Sequence, residues 1–83
     1  MTMHKAVARD LLKKAGWTEP QITMALRIIA YDGARSAAQI APVVLAFADR
    51  SEDAGEAAVY RALAQRLTDD PREADALWAL RGW

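Results

Sequence analysis

The chain has no cysteine, one histidine, one phenylalanine, four glycines and three prolines in 83 residues. Without cysteine no disulfide can form, and no thiolate is available as a nucleophile or metal ligand; the composition fits a reducing compartment. The single histidine, His4, stands near the start of the chain, where fraying is expected, and no metal-ligand spacing occurs. The few glycines form no phosphate-cradling loop. The longest apolar run is "IAPVVLAFA", residues 40–48. It is far short of the roughly 20 residues that span a bilayer. Lys5, Arg9 and Asp10 stand where a secretion signal would be apolar. A cytoplasmic protein with no membrane association is expected, with no cofactor, no metal and no enzymatic activity.

Charge of one sign is also lacking. Eleven Lys/Arg balance eleven Asp/Glu, for a net charge of zero. Residues 1–40 lean basic and residues 41–83 acidic, but neither half carries a charged block of the kind found in polyanion-binding tails. Two acidic clusters, Asp49–Glu56 and Asp69–Asp75, fall at expected helix starts, where carboxylates complement the helix dipole. Lys5, Arg9 and Lys13 form a basic stripe that reads as a solvated face.

Alanine is abundant instead. Hydrophobic residues make up 53% of the chain, and 19 of them are Ala. Alanine is the strongest helix former and the smallest apolar side chain, so the composition specifies closely packed helices. The expected architecture is one all-α domain over residues 1–83, a compact bundle of about five short helices with no β-sheet. Helix 1 spans about His4 to Ala15, with Val7, Ala8, Leu11, Leu12 and Ala15 on one face and Gly16 as the stop. In "WTEPQI" Thr18 and Gln21 have the spacing of a capping box, Pro20 sits in the first turn, and Trp17 with Ile22 matches a hydrophobic staple. Helix 2 follows to about Tyr31 and stops at Asp32-Gly33. Ser36–Gln39 repeats the box ahead of helix 3, with Pro42 either in its first turns or at a kink. Helix 4 spans about Glu52 to Leu67 with Val59, Leu63 and Leu67 on its inner face. Asp70, Pro71 and Glu73 open helix 5 as cap, first residue and box partner, and it ends near Arg81. Helices 2 and 3, the most apolar, are expected at the centre.

Two stretches carry resemblances. In the region from Arg27 to Leu67, Ser36, Ala37 and Ile40 followed by Val59, Tyr60 and Arg61 resemble the helix pattern of winged-helix repressors of the ferric-uptake type. That resemblance implies a β-hairpin after helix 4 and a helix-turn-helix DNA-binding regulator, with Arg61 and Arg66 as DNA contacts. Glu52, Asp53 and Glu56 would occupy the turn that approaches the major groove, and carboxylates there oppose phosphate binding. Nucleic acid is therefore the secondary expectation. Residues 11–47 look like a ubiquitin-associated three-helix domain, through Ala15-Gly16-Trp17 as the loop after helix 1 and the Ala25-Leu26 pair in helix 2. That resemblance implies a partner held by the loop and the third helix.

The leading expectation comes from surplus apolar surface. At about 100° per residue, Ile22, Ala25, Leu26 and Ile29 make one face of helix 2, and Met24, Ile28 and Tyr31 a second. Trp78 and Trp83 add aromatics near the C-terminal end; Trp78 either closes over helix 2 or faces a partner. Aromatic side chains and Met are enriched at interface cores. Met24, Ile28, Tyr31, Trp78 and Trp83 are thus the candidate protein interface of a small adaptor, subunit or inhibitor, binding another protein or a second copy as a homodimer. Phage-encoded inhibitors of host defences, anti-CRISPR proteins among them, include helical proteins of this size. Loss of the Thr18 cap in Thr18→Ala should lower stability by about 1 kcal/mol, read from the unfolding midpoint; an unchanged midpoint would mean that helix 2 starts elsewhere.

Overall fold

The computed structural model describes residues 3–81, with Asp32 described by its backbone only. Trp83 lies outside the described residues. Among these there are five α-helices, one 3₁₀ turn and no strand. The helices are α1 (Lys5–Lys14), α2 (Glu19–Asp32), α3 (Ile40–Arg50), α4 (Ala54–Asp69) and α5 (Pro71–Arg81), with the 3₁₀ turn Ala37–Gln39 ahead of α3.

The first capping box forms as its spacing predicts. Gln21 N–H donates to the Thr18 hydroxyl at 3.3 Å, and Thr18 N–H donates to Gln21 Oε1 at 2.9 Å. At the other end of α2, Gly33 takes the left-handed conformation (φ 72°) and its N–H donates to the Ile29 carbonyl. The second box does not form. The Gln39 N–H that Ser36 would cap is taken by Ser36's own carbonyl at 3.1 Å, and Gln39 Oε1 accepts from Arg35 N–H instead. The segment therefore winds as a 3₁₀ turn and α3 starts only at Ile40. Pro42 is the third residue of α3, where its missing N–H leaves no intrahelical bond unmade. Helix α4 starts two residues later than expected, with Asp53 accepting from Glu56 N–H at 3.0 Å.

The third box is half made. Asp70 caps α5, accepting from Arg72 N–H at 3.0 Å, but the Glu73 side chain does not turn back toward the cap. It points into the protein and is only 5% exposed. Its Oε1 accepts from the indole N–H of Trp17 and from Arg66 Nη2 at 3.0 Å. The Arg66 guanidinium also donates to the Ala15 carbonyl and lies 5.4 Å from the Trp17 ring centroid. A carboxylate can be buried at tolerable cost only when paired and hydrogen-bonded, and this one is both. The arrangement ties the α1–α2 loop, α4 and α5 together.

Helix α5, not α2 and α3, is the central element. It packs against α1, α2, α3, α4 and the 3₁₀ turn. Glu73, Ala74, Ala76, Leu77, Ala79 and Leu80 are all buried. Three of these are alanines, which let neighbouring helices approach closely around most of the circumference. Such a helix shows little amphipathic contrast, whereas the bulky apolar residues of α2 and α3 draw the eye. Two inner faces also differ from expectation. Val59 is 48% exposed, and Tyr60 fills the core beside Leu63 and Leu67. In α1 only Ala8 and Leu12 are fully inside, while Val7 is exposed.

Arg66→Ala removes the only cation paired with this buried carboxylate among the described residues. Hydrogen bonds to charged groups contribute about 1.5–3 kcal/mol each. Because Arg66 keeps 34% of its side chain in water, the loss should fall in that range and below the roughly 3–5 kcal/mol of a fully buried pair. Urea denaturation of the two proteins measures it, and a difference under about 0.5 kcal/mol, as for an exposed pair, would contradict the burial argument.

Candidate functional site

Helix α2 turns Ile22, Ala25, Ile28 and Ile29 into the core. One step around the helix lie Met24, half-buried, and Tyr31, which is 83% exposed. Across from them Phe47 of α3 is half-buried, its ring edge-on to Tyr60 of α4 at 5.0 Å between centroids. Between these side chains runs an open, mostly apolar groove of about 590 Å³, lined by Met24, Arg27, Ile28, Ala30, Tyr31 and Phe47. Two smaller hollows continue it. One, of about 310 Å³, passes between Met24 and Val59; the other, of about 340 Å³, lies between Tyr31, Phe47 and Arg50. Glu56 borders both.

The groove is backed by packed side chains. The Tyr60 hydroxyl donates to Glu56 Oε1 at 3.0 Å, and burial, reinforced by this bond to a carboxylate, pushes the hydroxyl above its ordinary pKa. Tyr60 thus supports Phe47 from behind while its polar tip is satisfied at the surface. The Arg50 guanidinium lies 6.0 Å from the Phe47 ring centroid.

Three of the residues predicted from sequence, Met24, Ile28 and Tyr31, therefore meet in one groove, Tyr31 at its exposed rim and Ile28 at its buried floor. Trp78 is half-buried under the Arg81 guanidinium, 3.5 Å from its ring centroid, and lines none of the three hollows. Sequence reasoning missed Phe47. The signal for it was the same apolar run that supplied Ile40, Val44 and Ala48: those three recur every fourth residue and are buried, and Phe47 falls beside their stripe.

The cations are largely committed elsewhere. Arg9 and Lys13 both bind Glu19, at 2.6 and 2.8 Å, and Lys13 followed by Arg9 holds that carboxyl below its ordinary pKa. Lys14 pairs with Asp10, and Arg72 with Asp70. The two candidate DNA contacts are engaged as well: Arg61 with Asp49 at 3.1 Å and Arg66 with Glu73. The β-hairpin implied by the winged-helix resemblance is absent, because residues 71–81 form α5. In the loop emphasised by the ubiquitin-associated resemblance, Trp17 is buried rather than presented. Among the described residues, no helix is long and apolar enough to cross a membrane. No protein-family model, curated protein or solved structure matches the chain.

Proposed function

We propose that this chain is a protein-interaction module whose binding surface is the groove between α2 and α3. The observation that carries the reading is Tyr31: a tyrosine 83% exposed at the rim of a 590 Å³ apolar groove that also contains Met24 and Phe47. Aromatic side chains that fill pockets supply much of the binding energy at protein interfaces. The groove is backed by packed helices, so little ordering is needed on binding. It suits an inserted side-chain cluster of a partner, as in helix-in-groove recognition. Adaptor, subunit and inhibitor are all uses of such a surface; the narrower reading, an anti-defence inhibitor carried by a phage, draws only on size and helical class.

Protein is preferred over DNA on electrostatic grounds. Phosphate binding needs free Lys/Arg on one face. Here Arg61 and Arg66 already have carboxylate partners, and Arg9 and Lys13 of the α1 stripe are engaged by Glu19.

The test compares affinity capture by the wild type, Tyr31→Glu and Trp78→Ala. Tyr31→Glu should lose the bound proteins with an unchanged helical spectrum, because the residue is exposed. Trp78→Ala should retain them. The same bound set on wild type and Tyr31→Glu would contradict the groove as the binding surface.

A further inference from the structure

A separate hollow of about 400 Å³ lies where the 3₁₀ turn and the start of α3 meet the junction of α4 and α5. It shares no lining residue with the groove or with the two hollows that continue it. Its walls are mostly alanine and proline, with the buried Leu67 among them.

The polar groups of this lining are acceptors. Among the described residues Asp75 is its one charged side chain, exposed and without an ion pair or hydrogen bond. Thr68 donates its hydroxyl proton to the Ala64 carbonyl at 2.9 Å, so its oxygen retains only lone pairs. The Leu67 carbonyl would accept from the fourth residue along a continuing helix, but that residue is Pro71, which has no N–H. The Thr68 carbonyl loses its helical donor too, because Arg72 N–H goes to Asp70 Oδ1 at 3.0 Å. The hollow therefore sits at the carbonyl end of α4, where a cation is favoured. At the start of α5 the donors are used: besides Arg72 N–H, Glu73 N–H donates to the Asp70 carbonyl at 3.1 Å. Of the cations nearby in sequence, Arg72 is paired with Asp70, and Arg35 is not on the lining. The 3₁₀ turn on the opposite wall adds only neutral backbone N–H groups.

We propose that this hollow binds a small organic cation, a primary ammonium on a compact apolar body. The ammonium pairs with Asp75, and the body lies against the alanines. Apolar walls with a few placed polar groups are the usual make-up of a small-molecule site. An anion of the same shape meets a carboxylate and open carbonyls. A lysine side chain carries the same head, but its linear stem fills less of the space than a ring does. The site is independent of the groove between α2 and α3.

Titration of the full chain with phenethylammonium at constant ionic strength, followed by NMR amide shifts, tests the proposal. The shifts should saturate and centre on Ala37, Ala41, Thr68 and Ala74. Phenylpropionate, the carboxylate counterpart, should leave these amides unmoved, and neutral phenylethanol should bind more weakly than the ammonium. Asp75→Asn should weaken the ammonium about three- to five-fold, the scale of an exposed ion pair, and bring it level with phenylethanol. Ala38→Leu, at an exposed position of the lining, should fill the hollow and abolish binding with unchanged circular dichroism. Shifts that never saturate, or that spread over the surface, would overturn the proposal. So would equal binding of phenylpropionate, or an affinity indifferent to Asp75→Asn. Nα-acetyl-lysine amide should bind more weakly than phenethylammonium; tighter binding would assign the hollow to a basic side chain of a partner protein and exclude the free amine.

Discussion

A carboxylate inside an 83-residue protein is a strong constraint, because its charge must be matched wherever the chain goes. Glu73 meets that demand through Trp17, 56 residues away in sequence, and Arg66, seven away on the preceding helix. The bond from the indole positions the α1–α2 loop, and the guanidinium positions α4, both relative to α5. Arg66 adds a bond to the Ala15 carbonyl at the end of α1 and covers the Trp17 ring. Hydrophobic burial is non-directional. This polar contact is directional, and it selects one arrangement among the several that alanine-rich helices could adopt.

The placement of α5 follows, and the groove follows from α5. With α5 at the centre, α2 closes the core with Ile22, Ala25, Ile28 and Ile29. Its neighbouring stripe through Met24 and Tyr31 is left outward, where α3 supplies Phe47 across the gap. Helix α4 packs on α3 and places Tyr60 behind Phe47. Had α2 been the central helix, its second apolar face would have been covered. The surplus apolar surface visible in the sequence is thus exposed because the alanine-rich helix occupies the middle.

Much of this was legible in the residues. The order of five helices followed from Thr18, Asp70, Pro71 and the glycines at positions 16 and 33, because caps and stops are local and depend on a few neighbouring atoms. The second face of α2 was legible for a similar reason, since helical geometry alone groups Met24, Ile28 and Tyr31. What was not legible depended on tertiary partners. Glu73 has the spacing of a capping residue, and only Trp17 and Arg66 turn it inward. Val59 and Tyr60 are adjacent candidates for the same inner position. The edge-on contact with Phe47 of α3 favours Tyr60, and that contact is not local to α4; the bond to Glu56, one turn earlier in the same helix, satisfies the hydroxyl. Phe47 was overlooked because its run is apolar throughout and offers no contrast from which to pick a rim residue.

The claim on which the rest depends is that Trp17 and Glu73 are joined inside the folded protein. Hydrogen exchange of the indole protons, followed by NMR, tests it directly, with the half-buried Trp78 as an internal comparison. The account predicts that the Trp17 Nε1 proton exchanges only on global unfolding, at the pace of the slowest core amides, and that Glu73→Gln shifts its resonance strongly. A Trp17 indole proton exchanging as fast as that of Trp78, with a resonance insensitive to Glu73→Gln, would contradict the account.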